Sequence, residues 1–67
     1  MLSTEISFWR ILGRNDAKVG KPPAFREVQT GGKRRVYLVN RPPSHWHDRD
    51  ERRAGEAYLS AYKAHSR

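Results

Sequence analysis

Gly31-Gly32, set between two runs of strand-forming residues and bracketed by Pro22-Pro23 and Pro42-Pro43, constrains this chain more than any other feature. A glycine pair accepts the positive φ of a two-residue turn, so Ala24 to Thr30 and Lys33 to Asn40 are expected to pair as a β-hairpin. Each proline pair closes off what precedes it, because proline lacks an amide donor and fixes φ. A two-residue turn also sets the register. Phe25 then lies across from Leu38, Arg26 from Tyr37, Glu27 from Val36 and Val28 from Arg35. Side chains alternate along a strand, which separates an apolar face of Phe25, Val36 and Leu38 from a face carrying Arg26, Lys33, Arg35 and Tyr37.

The flanking segments differ in how clearly they read. Asp48 followed by Glu51 has the form of a capping box, so an α-helix is expected over about residues 48–65. A rotation of about 100° per residue puts Ala54, Ala57, Tyr58, Ala61, Tyr62 and His65 on its core side, with Leu59 at the margin. Arg49, Arg52, Arg53, Glu56, Ser60, Lys63 and Arg67 gather opposite. Gly55 sits inside this helix at a cost of about 1 kcal/mol relative to alanine, which suits close approach of a strand or partner. At the other end, Ser3 as an N-cap and Gly13 as a stop, with Asn15 and Asp16 after it, would frame a short helix. Ile6, Phe8, Trp9 and Ile11, however, are β-branched or aromatic and favour a strand. The strand is the preferred reading for residues 5–12. The expected fold class is therefore α+β: one small domain over residues 1–67, an antiparallel hairpin packed against the C-terminal helix, with a three-stranded sheet where residues 5–12 add a strand. Trp9, Phe25, Leu38, Tyr58 and Tyr62 would form the core. A helical first segment would give helix, hairpin, helix instead.

Composition narrows the function. At 67 residues, 36% hydrophobic, the chain has room for one small core that is marginal by itself. It has no cysteine, so disulfides, thiol chemistry and cysteine-based zinc sites are excluded. No cofactor is implied. No stretch approaches the roughly 20 apolar residues of a membrane span, and the opening residues lack the pattern of a secretory leader, so a cytoplasmic protein without a membrane role is expected. The C-terminal helix would insert poorly in a bilayer, since its apolar face is alanine and tyrosine.

Charge supplies the positive evidence. The net charge is +7, and nearly all of it falls between Lys18 and Arg41, where seven cations face Glu27 alone. Cations concentrated on a short ribbon suit a phosphate backbone or an acidic protein surface. The leading expectation is a basic, non-enzymatic protein that binds DNA or RNA through Arg26, Lys33, Arg34, Arg35 and Tyr37, with Arg41, Arg49, Arg52 and Arg53 as further phosphate contacts. Each neutralised phosphate releases counterions, and a two-stranded ribbon is narrow enough for a major groove. In layout, FREVQTGGKRRVYLV followed by RDERRAGEAYLSAY resembles the small sheet-plus-helix arm-binding domains of site-specific recombinases, over about two thirds of the chain. A pI near 10.6 also suits a ribosomal or nucleoid component, or a small phage or mobile-element protein.

Other chemistry is thinly represented. His45, His47 and Asp48 surround Trp46 in a pattern close to the H-x-H-x-D-H box of metallo-hydrolases, but Arg49 and Asp50 depart from it and those enzymes draw further ligands from much longer chains. No metal site is assigned. Ser44, His45 and Asp48 are neighbours in sequence, which is not the spatial arrangement of a catalytic triad, so no catalytic residue is assigned. The alternative reading is a phage or mobile-element effector that binds and inhibits a larger host protein, with Trp46 as an anchor flanked by His45 and His47. Its partner would present an acidic surface, as a nucleic-acid-binding enzyme would near its active site. A homodimer is compatible with either reading.

Overall fold

The computed structural model describes residues 3–66 and has the order helix, strand, strand, helix: α1 (Ser3–Lys18), β1 (Phe25–Thr30), β2 (Lys33–Leu38) and α2 (Asp48–His65). The fold is a small α+β arrangement, with a two-stranded antiparallel sheet. Arg67, placed on the outer side of the last helix from sequence, lies outside the described residues.

The hairpin has the expected register. Phe25 pairs with Leu38, Arg26 with Tyr37, Glu27 with Val36 and Val28 with Arg35, and the turn is closed by Thr30 and Lys33. Gly31 and Gly32 have φ of 56° and 78°, the left-handed region that glycine enters without steric cost. A further bond from the Val39 amide to the Ala24 carbonyl, 2.9 Å, carries the pairing past the end of the strands.

The first segment corrects the strand expected over residues 5–12. It is helical from Ser3 to Lys18. Strand propensity pointed the wrong way because the spacing of the covered positions, and not the side-chain type, decides the element. Glu5, Ile6, Trp9, Leu12, Gly13, Asp16 and Ala17 are the less exposed residues, a helical repeat of three and four. Gly13 does not stop the helix. It is buried against the backbone of Tyr58, where α1 crosses α2, and a Cβ there would run into the Tyr58 carbonyl. The helix ends instead at Gly20, φ 74°, where Gly20 donates to the Ala17 carbonyl (3.2 Å) and Lys21 to the Asp16 carbonyl (2.9 Å). Those two bonds form a Schellman cap, and the prolines follow directly.

The last helix begins where expected, but its cap is one residue earlier than Asp48 with Glu51. His47 is the N-cap, and the Asp50 carboxylate accepts a hydrogen bond from the His47 amide at 2.9 Å. That bond holds the nearly buried Asp50 below its ordinary pKa. Glu51 reaches across to the hairpin instead. Its carboxylate accepts from the Leu38 amide at 2.8 Å, tying the outer edge of β2 to α2.

The core is built on the α2 face carrying Ala54, Ala57, Tyr58 and Leu59, joined by Phe25 and Val36 from the hairpin. His65, expected on this face, is exposed, at an open groove between the last turn of α2 and Ala17 and Lys18 of α1. Gly55 lies against Val36 and Phe25, and an added Cβ would come within 2.8 Å of Phe25 Cδ2. Aromatic rings fill the remainder. Trp9 meets Phe25 edge-on at 5.2 Å and Trp46 at 5.8 Å, Phe25 lies 5.5 Å from Tyr58, and Tyr62 stacks on Tyr58 at 5.9 Å.

Two substitutions test this packing. In an exposed helix Gly→Ala gains about 1 kcal/mol, but Gly13→Ala is expected to destabilise by about 1–3 kcal/mol, since the obstructing atoms are backbone. Urea unfolding with a lowered midpoint and unaltered slope would agree; a raised midpoint would mean that the helices do not meet there. Trp46→Ala is expected to cost about 2–4 kcal/mol through lost contact with Trp9. An unchanged thermal midpoint would show that Trp46 contributes little to the core.

Candidate nucleic-acid interface

Strand alternation divides the hairpin's charges between two faces. Phe25, Glu27 and Gln29 of β1 and Arg34, Val36 and Leu38 of β2 share the face that packs towards α2. Arg26, Val28 and Thr30, with Lys33, Arg35 and Tyr37, form the opposite face. Neither helix covers it: Arg26, Val28, Thr30, Lys33 and Arg35 are exposed and Tyr37 is half-buried. Arg26 stands opposite Tyr37, and Val28 separates it from Thr30 along the strand. This face has no acidic side chain.

The inner face binds its cations to carboxylates. Arg34 Nε lies 2.6 Å from Glu27 and its Nη1 2.8 Å from Glu56 of α2. Lys63, also on α2, reaches the second oxygen of Glu27 at 2.7 Å, and Arg52 shares Glu56 at 3.5 Å. The Glu27 carboxyl, accepting hydrogen bonds from Arg34 and then Lys63, falls to about 2. The same bonds, from Glu27 and then Glu56, push the Arg34 guanidinium above its already high value. Arg34 therefore serves first as a structural clamp between hairpin and helix.

The remaining candidates are dispersed. Arg41 is exposed beyond β2. Arg52 and Arg35 line one groove of about 240 Å³ between β2 and the start of α2, together with Arg34, Val36 and the acidic Asp48 and Glu51. Arg53 points the other way and lines a groove with Ile6 and Arg10 of α1. Arg49 is exposed in the first turn of α2. Among the described residues, Arg26, Lys33 and Arg35 have no carboxylate partner, unlike Arg34, Arg52 and Lys63. Val28 and Thr30 complete the outer face, where the same alternation places them.

The residues around Trp46 form a second, different surface. Trp46 is half-buried on Trp9, and its indole Nε1 is enclosed without a hydrogen-bond partner among the described residues. Beside it, Thr4, Glu5, Phe8, Trp9, Pro43 and His45 line an open groove of about 340 Å³. His45 Nε2 approaches Glu5 at 3.9 Å, while His47 contributes its backbone to the helix cap. Among the described residues, no three histidine or carboxylate side chains converge as metal ligands, and no helix is long and apolar enough to cross a membrane.

No family model matches this chain, and no curated protein or solved structure is similar enough to count as a match.

The carboxylate clamp gives a pH dependence with a definite sign. Glu27 has a folded pKa of about 2 against an ordinary 4.5, so its contribution to stability is complete above the unfolded value. It is lost as pH falls from about 4.5 towards 2. The thermal midpoint is expected to fall through that window, and Glu27→Gln to remove part of the fall while lowering the midpoint at neutral pH. Parallel acid profiles for the two proteins would sink this assignment.

Proposed function

We propose that the chain is a non-enzymatic nucleic-acid-binding protein that uses the outer face of its hairpin. The observation that carries this reading is the separation of charge between the faces. Where a cation serves the fold, as Arg34 and Lys63 do, it is matched by a carboxylate. On the outer face Arg26, Lys33 and Arg35 stand beside Tyr37 with none. Three unmatched cations on one side of a two-stranded ribbon gain from phosphates through counterion release, and a half-exposed tyrosine adds a ring on which a base can stack. Arg41 and Arg49 are outlying contacts, while Arg52 is paired with Glu56 and so contributes less.

A second reading has its own observation. Phe8 is 56% exposed at the rim of the Trp9–Trp46 groove, with His45 alongside, which suits a protein partner that inserts an apolar side chain. The outer hairpin face would then meet acidic groups of that partner.

Fluorescence anisotropy against duplex DNA, single-stranded DNA and structured RNA over a range of salt separates the two. Replacing Arg26, Lys33 and Arg35 together by alanine is expected to weaken binding and to reduce the slope of log K against log salt by about 2–3. Arg34→Ala is expected to act mainly on stability. Binding that is unaltered in the triple variant, or that is indiscriminate and disappears near physiological salt, would turn the search to a protein partner.

A further inference from the structure

The two outer edges of the sheet are treated differently. On β2 the outward amide of Leu38 donates to Glu51 of α2, while those of Arg34 and Val36 have no acceptor among the described residues. On β1 nothing comparable occurs. In the hairpin, Arg26, Val28 and Thr30 direct their backbone groups inward to Tyr37, Arg35 and Lys33, so Glu27 and Gln29 direct theirs outward. Among the described residues neither outward amide has an acceptor, and every residue from Arg26 to Thr30 is exposed. Such an edge is a template for another strand.

We infer that this edge pairs with the β1 edge of a second copy of the chain, making a four-stranded sheet in the order β2, β1, β1, β2. Twofold pairing of one strand with itself must place outward-directed residues opposite each other. For the six residues of β1 this leaves two registers that stay almost wholly within the strand. One sets Glu27 against Glu27 of the second copy. The other sets Val28 against Val28, Arg26 against Thr30 and Glu27 against Gln29, with no like charges opposed. In the second register Glu27 and Gln29 exchange about four backbone hydrogen bonds with the other copy. It also covers Val28, which is 39% exposed and the sole aliphatic side chain on the outer face. An interface confined to one strand is small, so the association belongs to the weak, concentration-dependent class. The outer faces of the two hairpins become one continuous surface, but the dimer does not depend on nucleic-acid binding.

Sedimentation velocity of the full chain without nucleic acid, from about 10 µM to about 1 mM, the range expected of a weak contact, tests this. The mass is expected to rise from 7.8 kDa towards twice that value. Amide exchange at Glu27 and Gln29 should slow over the same range. Gln29→Pro removes an outward N–H while sparing the hairpin's own bonds, and Val28→Lys sets two ammonium groups against each other. Both variants are expected to remain monomeric with unaltered circular dichroism. Should Gln29→Pro unfold, Val28→Lys decides. A wild-type chain that stays monomeric throughout, or a dimer that persists in the folded variants, would overturn the inference.

Discussion

The hydroxyl of Tyr58 ties α2 to α1 and to the approach to β1. It donates to the Asp16 carboxylate of α1 at 2.6 Å and accepts from the Ala24 amide, just ahead of β1, at 3.0 Å. Its ring is fully buried against Phe25 and stacked by Tyr62, while its own carbonyl is the surface on which Gly13 rests. Burial, followed by the neighbouring carboxylate, pushes the phenol up to about 12, so it stays neutral and keeps its donor. A buried hydroxyl that both gives and receives avoids the penalty of an unpaired polar group and fixes where three elements meet. In a chain too small for a large apolar core, that convergence supplies orientation that bulk burial alone would leave loose.

The same economy governs the charges. Glu27 is the hairpin's one acid, and it is held on the inner face between Arg34 and Lys63. Glu56 completes the clamp from α2, and Glu51 is committed to the Leu38 amide. Exposed ion pairs are individually weak, and a linked set gains chiefly by fixing geometry. The effect is to hold the hairpin against α2 by its inner face and β2 edge, leaving the other face without carboxylates. The basic surface is therefore supported by a clamp made from some of the same residue types, separated from it by strand alternation.

The hairpin and α2 were legible because their signals are local. Gly31-Gly32 fixes the turn, the turn fixes the register, and the register assigns Arg26, Lys33, Arg35 and Tyr37 to one face. Segment 5–12 was misread because its β-branched and aromatic residues were weighed by propensity, whereas its pattern of cover follows a helix whose partner lies more than forty residues later in the chain. Gly13 misled for a related reason: a glycine at a helix crossing and a glycine at a helix end look alike until the partner backbone is known. Composition groups Arg34 with its neighbours, and only its alternation and the position of Glu56 separate it from them. Pairwise contacts between distant side chains leave no mark in a single sequence.

The helical first segment determines what the rest of the molecule exposes. Had residues 5–12 formed a third strand, it would have occupied an edge of the sheet and its apolar side chains would have extended the sheet's inner face. As a helix, α1 instead packs Trp9 and Leu12 against the core and leaves Phe8 and Ile11 exposed. The sheet is left with two strands, which are marginal alone and depend on α2 for stability. The β1 edge is open because no third strand pairs with it, whereas the outer face is uncovered because α2 packs on the inner face. The surface proposed to meet phosphates is thus left open by the side on which α2 packs, and the edge inferred to meet a second copy by the absence of a third strand.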